Sequence, residues 1–246
     1  WTASKFPTRY GEEDFVENIF FASTHDILLC FTEKGRVFWK KVYELPESPR
    51  GSKGRAIINL LNLQEDEKIA AFMRIREFSE DEYIVYTTQN GTAKRTELAA
   101  LKNVRSNGIR AIEVQDDDKL ISVRLTNGDN ELMTTTSGGM TVRFDENQLR
   151  PMGRTARGVR GIRLKDEQKV VHCTVADPDA TLMVVCENGY GKRTPIEEYR
   201  QTKRGGLGVR TIQVNERNGP VVTAFTVNEN HALMLITEKG VVIRMK

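Results

Sequence analysis

The feature that most constrains this chain is a glycine register. Glycines at 35, 91, 139, 189 and 240 each close a short turn, and they are spaced by 56, 48, 50 and 51 residues. A second series at 54, 108, 158 and 208 follows spacings of 54, 50 and 50. Two independent markers that keep one period define a repeat of about fifty residues. The first series sits in the turns Glu33-Lys34-Gly35, Gln89-Asn90-Gly91, Ser137-Gly138-Gly139, Glu187-Asn188-Gly189 and Glu238-Lys239-Gly240. Each turn lies between two runs of β-type residues, and such a pair joined by a glycine turn predicts a hairpin.

The predicted hairpins pair 27–31 with 36–42, 83–88 with 92–96, 131–135 with 140–144, 181–186 with 190–194, and 232–237 with 241–245. After each loop glycine a further strand is predicted, at 55–60, 110–114, 160–164 and 210–214. An apolar run then follows, at 68–72, 120–125, 170–175 and 221–227. Residues 15–22 are apolar enough for one more strand. No segment keeps a 3.6-residue apolar period over a helical length. Four strands per fifty residues is the arithmetic of an all-β propeller, whose blades bury their faces against each other. A β-sandwich needs more chain than one such module offers. The expectation is one all-β domain over 1–246, built of blade-like units with turn glycines at 35, 91, 139, 189 and 240. The chain starts abruptly and stops inside a fifth copy, which reads as part of something longer.

Charge is sorted along the same period. The windows 34–55, 91–110, 139–163 and 189–210 carry net charges of +5, +4, +4 and +4. They hold 24 of the 37 Lys and Arg but 7 of the 34 Asp and Glu, so the rest of a chain of net charge +3 is strongly acidic. On the hairpins, candidate binding residues are Arg36, Lys40 and Lys41, Lys94 and Arg95, Arg143, Lys192 and Arg193, and Arg244. In the loops they are Arg50, Lys53 and Arg55, Arg105 and Arg110, Arg154, Arg157 and Arg160, and Lys203, Arg204 and Arg210. In a radial fold, equivalent positions of successive blades form a belt. A basic belt suits a curved polyanion held through its phosphates, and therefore duplex DNA bound with little regard to sequence.

Other chemistries find little support. Cys30, Cys173 and Cys186 are odd in number, apolar in context and lack paired spacing, as buried reduced thiols do. His25, His172 and His231 are scattered, and His25 and His231 sit where a turn-capping role is expected. No histidine, cysteine or carboxylate spacing suggests a metal. Gly189-Tyr190-Gly191-Lys192 and Gly205-Gly206-Leu207-Gly208 lack phosphate-loop spacing and a following helix. No nucleophile–base pair marks an enzyme, and no run is long and apolar enough for a membrane helix. A kelch- or WD-type interaction propeller is a competing reading, but W-D dipeptides are missing and Gly-Gly occurs only at 138–139 and 205–206. An enzyme with a site in the central channel would need recurring carboxylates on inner strands, and these lie mainly in turns.

Residues 12–61, the segment TARGVRGIRL at 155–164 and ENGYGKRT at 187–194 resemble the C-terminal domain of the bacterial DNA gyrase A subunit. The related topoisomerase IV domain is the alternative within the same group. The resemblance implies a six-bladed β-pinwheel with hairpins exchanged between neighbouring blades. It also implies a non-catalytic role: wrapping duplex DNA around a basic rim so that the holoenzyme introduces negative supercoils using ATP. The implied partners are double-stranded DNA and, in an A2B2 assembly, the gyrase B subunit with the rest of the A subunit. The domain itself would be monomeric, without a membrane, in the bacterial cytoplasm at the nucleoid. No cofactor is implied for this domain, since ATP and Mg are used elsewhere in the holoenzyme. None of Tyr10, Tyr43, Tyr83, Tyr86, Tyr190 or Tyr199 stands in the context of the family's nucleophile. The family's signature box of glutamine, basic residues and glycines would lie before Trp1. Residues 201–208 (QTKRGGLG) are similar to it, but sit in a later repeat.

Overall fold

The computed structural model describes residues 21–47, 59–103 and 107–231, and the strand path of 233–236 and 242–245. Most of the expected strand at 15–22 and all of that at 55–60 but its last two residues lie outside these. Phe21 and Ala22 are not in a strand, and Asn59 and Leu60 fall in a turn.

Each repeat forms the hairpin its turn glycine predicts. The hairpins are β1 (Ile27–Thr32) with β2 (Arg36–Lys41), β4 (Tyr83–Thr88) with β5 (Thr92–Glu97), and β8 (Glu131–Thr136) with β9 (Met140–Asp145). A fourth joins β12 (Thr181–Cys186) to β13 (Gly191–Pro195), and a fifth joins β16 (Leu233–Ile236) to β17 (Val242–Met245). A third strand in each of the first four repeats returns to the first: β3 (Ile69–Ile75), β7 (Leu120–Thr126), β11 (Val170–Val175) and β15 (Val221–Val227). These four pack against one another in succession, which places them at the axis and the hairpin return strands at the outside.

In the three four-stranded sheets, the fourth strand is shorter than the sequence predicts and comes from the following repeat. Strands β6 (Ile109–Arg110), β10 (Val159–Arg160) and β14 (Val209–Arg210) are two residues each. They pair antiparallel with the starts of β2, β5 and β9. Residues 111–114, 161–164 and 211–214 leave the ladder because their N–H groups find another acceptor. The amides of Ala111 and Ile112 donate to the Gly35 carbonyl, those of Gly161 and Ile162 to that of Gly91, and those of Thr211 and Ile212 to that of Gly139. A residue two before each turn glycine adds a second seam. Glu33, Gln89 and Ser137 accept from the amides of Leu120, Val170 and Val221, each the first residue of the next repeat's inner strand.

Successive side chains of a strand point to opposite faces, and here both faces are covered. Ile84 and Tyr86 of β4 join Leu29, Phe31 and Ile112 in one core, while Val85 joins Leu132, Val142 and Phe144 in the next. Leu132 and Met133 of β8 divide in the same way between that core and one containing Leu182, Val184 and Tyr199. The core is thus a series of slabs between sheets, and first strands of the hairpins such as β1, β4 and β12 read as largely apolar runs because both their faces are packed. Cys30, Cys173 and Cys186 are buried free thiols, as expected.

Between β7 and β11, the Arg124 guanidinium contacts Nε2 of His172. Burial, with the adjacent Arg124 cation, lowers the His172 pKa from 6.5 to about 3. The unfolded chain therefore binds a proton that the folded chain refuses, and stability falls as pH drops from 6.5 towards 3. A urea-midpoint profile should show this loss, and His172→Leu should flatten it.

The turn glycines differ in what surrounds them. At Gly139 (φ +76°) an added Cβ would lie 2.3 Å from the Ile212 carbonyl oxygen, whereas at Gly189 (φ +81°) nothing described lies within 4 Å. Left-handed backbone costs a residue with Cβ about 1–2 kcal/mol, and a clash with an immovable carbonyl adds to it. Gly139→Ala should therefore lower the denaturation midpoint clearly more than Gly189→Ala.

Candidate nucleic-acid interface

The outer edge of each four-stranded sheet carries the short strand and the loop that leads into it. The loops 146–158 and 196–208 lie along the return strand of the preceding repeat. The Met152 amide donates to the Arg95 carbonyl at 2.9 Å, and the equivalent Thr202 amide donates to the Arg143 carbonyl at 2.8 Å. Residues at equal places in successive loops therefore occupy equal places on the rim.

In three successive repeats an arginine occupies the same exposed position. Arg110, Arg160 and Arg210 are each the second residue of a short strand, opposite Arg36, Thr92 and Met140. Around them stand Arg154, half-buried, and Arg157 and Lys203, exposed. Arg204 is held across repeats. Its Nε donates to the Gln148 carbonyl at 2.9 Å and its Nη1 to the Arg160 carbonyl at 3.0 Å. Two open grooves run between neighbouring repeats here. One of about 720 Å³ is lined by Trp39, Lys102, Ile109, Arg110 and Arg154. The other, of about 650 Å³, is lined by Arg157, Arg160, Arg163 and, on its far wall, Asp118. The stretches 108–110 and 158–160 are equivalent, and each forms part of a groove.

Several hairpin residues expected on the belt belong instead to the interior. Lys94 is fully buried, and its Nζ donates to the Ala111 and Arg154 carbonyls, both at 2.7 Å. Arg95 is buried and pairs with Glu146 at 3.2 Å, and that carboxylate also accepts from Thr126 Oγ1 and the amides of Gly128 and Asn130. Arg143 occupies the same place one repeat on. It pairs with Glu131 and donates to the Ile196 and Tyr199 carbonyls. Arg36 is paired with Glu67 at 2.6 Å and stacked on Phe38. For Lys94, Arg95 and Arg143 the return strand is flanked by the next repeat's loop, so the side chain meets carbonyls or a carboxylate there before it meets solvent. Half-buried Arg36 is instead held by Glu67 of its own repeat.

Lys192 and Arg193, on β13, remain exposed, with Arg193 paired to Glu229 at 2.8 Å. Lys40 and Lys41 are half-buried. Arg50, Lys53, Arg55 and Arg105 lie outside the described residues, as does the side chain of Arg244. Lys102, Arg150 and Arg200, which the sequence reading did not single out, are also exposed. They follow Leu101, Leu149 and Tyr199, which are buried, and their spacings of 48 and 50 repeat the glycine period. That period was the signal that could have found them.

Among the described residues no cluster of His, Cys, Asp or Glu could hold a metal. His231 caps a turn as expected, its Nδ1 accepting from the Asn228 amide. No described helix is long and apolar enough to cross a membrane.

The family model of the DNA gyrase C-terminal domain, beta-propeller, matches residues 26–76, 82–127, 130–177, 180–228 and 231–246. The chain belongs to this family. Over 235 residues, 96% of this chain, it is 55% identical to the DNA gyrase A subunit of Halalkalibacterium halodurans, and over 242 residues it is 44% identical to that of Salmonella typhimurium. It spans 28% of the length of each of these relatives. Among solved structures it is similar to the C-terminal domain of DNA topoisomerase IV, at TM-score 0.82 and 30% identity, covering 91% of this chain and 70% of that one. It is also similar to the DNA gyrase A C-terminal domain, at TM-score 0.79 and 26% identity, covering 91% of this chain and 73% of that one. The matched units are the structural repeats, with boundaries falling between one inner strand and the next hairpin. The all-β pinwheel expected from the sequence is thereby established.

The two classes of cation should separate experimentally. Arg95→Ala leaves Glu146 buried and unpaired, so it should cost about 3–5 kcal/mol in a denaturation measurement. Arg160→Ala, at an exposed site, should stay within about 0.5 kcal/mol.

Proposed function

We propose that this chain is the DNA-wrapping domain of a gyrase A subunit, without catalytic residues of its own, and that it bends duplex DNA along its rim. The observation that carries the reading is the recurrence of Arg110, Arg160 and Arg210 at one exposed position of successive sheets. Phosphates of a single duplex can follow such a row, and Lys102, Arg150 and Arg200 supply a second row one loop away. Backbone contacts of this kind release counterions and carry no sequence information. Bending a site of 20–30 bp costs on the order of 1–6 kcal/mol, which several charge-assisted contacts offset. In this reading 1–246 acts as one monomeric domain that binds no cofactor, within an A2B2 assembly with the gyrase B subunit in the bacterial cytoplasm. The assembly uses ATP and Mg elsewhere to introduce negative supercoils. The likeness to the topoisomerase IV domain supports a second assignment with the same rim chemistry. The 55% identity to a gyrase A subunit favours the first.

The test is topological. A plasmid relaxed by a nicking-closing enzyme in the presence of the chain should show a linking-number change that grows with bound protein. Replacing Arg110, Arg160 and Arg210 together with Glu should abolish it. Binding that leaves the linking number unchanged would overturn wrapping, and unaltered binding by the triple variant would overturn the rim.

A further inference from the structure

Lys94 is a buried cation without a carboxylate partner among the described residues. Its two acceptors belong to different repeats. The Ala111 carbonyl follows Arg110 directly in the loop of its own repeat. The Arg154 carbonyl belongs to the loop of the next repeat. Arg110 and Arg154 line the same groove of about 720 Å³, together with Lys102 and Trp39. One ammonium therefore holds both walls of that groove from beneath. The corresponding position is apolar in the first and third repeats, Phe38 and Val142. In the fourth it is Lys192, whose Nζ reaches the Thr211 carbonyl, the counterpart of Ala111, at 3.3 Å.

We propose that Lys94 is a positioning residue of the rim: it touches no phosphate, and by binding both loops it sets the separation at which Arg110 and Arg154 together receive the phosphate backbone of a nucleic acid. This rests on the reading of the rim as a DNA-binding surface. Lys94 pays for its place by desolvation, so its charge is the weak point of the device. The titratable groups facing it are Tyr86 of β4, its register partner, whose ring lies 5.6 Å from Nζ, and Arg154 of the 146–158 loop. Its neighbour Arg95 is occupied by Glu146. Burial keeps the Tyr86 hydroxyl protonated, so no anion supports the ammonium. Burial first, then the Arg154 charge, brings the Lys94 pKa down from 10.5 to about 8. As pH rises through that value the ammonium loses its proton, its bonds to the two carbonyls lose their charge assistance, and the two walls are no longer held at a fixed distance.

The experiment measures binding of the full chain to a labelled duplex by fluorescence anisotropy, across pH 7 to about 9.5 and over a salt series. Wild-type affinity should fall as pH passes through about 8, with its salt dependence unchanged. Lys94→Met should bind about tenfold more weakly at pH 7, with no inflection near 8 and the wild-type salt slope. Lys94→Arg, which stays charged, should bind without the inflection. Arg110→Ala and Arg154→Ala should each reduce the salt slope by about 1. Thermal melts report whether the variants fold. Should Lys94→Met not fold, the wild-type and Lys94→Arg profiles decide. Wild-type affinity constant through pH 8, an inflection that persists in Lys94→Met or Lys94→Arg, or a salt slope reduced in Lys94→Met would each overturn the proposal. If Arg110→Ala and Arg154→Ala also leave binding unchanged, the failure belongs to the DNA-binding reading itself.

Discussion

The structure depends on one hydrogen-bonded seam, in which the carbonyl of a turn glycine accepts two amides from the next repeat. Gly35, Gly91 and Gly139 each do this, and the donors always lie one and two residues beyond a short edge strand. The seam sets how one sheet sits against the next. It needs a left-handed turn residue, and it needs that residue to approach a foreign backbone closely. At Gly139 the Ile212 carbonyl occupies the space a Cβ would take. Glycine is required there by conformation and by contact at once.

From the seam follows the rim. The residue before the first seam donor is Arg110, Arg160 or Arg210, so a bond that docks one repeat on another also delivers an arginine to the same outward position each time. A chain period becomes a spatial period. The edge strands can be short because they serve registration, while most of the stabilisation comes from the slabs of apolar side chains between sheets. Residues such as Tyr86 and Phe144, wholly buried, fill those slabs.

Cations in this protein divide into two kinds of work. Lys94, Arg95 and Arg143, on the return strands of the second and third repeats, reach across to the next repeat and satisfy its carbonyls or a buried carboxylate. Those on the loops face solvent and are available to a polyanion. Arg204 does some of both, bridging two repeats while remaining half-exposed. A charge count along the chain merges the two kinds, which is why the sequence reading placed Lys94 and Arg95 on the belt.

The sequence by itself determined the fifty-residue period, the hairpins and the glycine turns, because these rest on local backbone preferences and on alternation that neighbouring residues express directly. It also determined that basic charge concentrates in the loop-bearing half of each repeat. Only the tertiary structure decided that the strands predicted after the loop glycines are two residues long and add to the preceding sheet, since their later amides are taken by a carbonyl about 70 residues away in the chain. Only it decided which cations meet solvent. Lys94 and Arg110 are equally basic in sequence, and what separates them is whether another repeat's backbone or water stands at the end of the side chain.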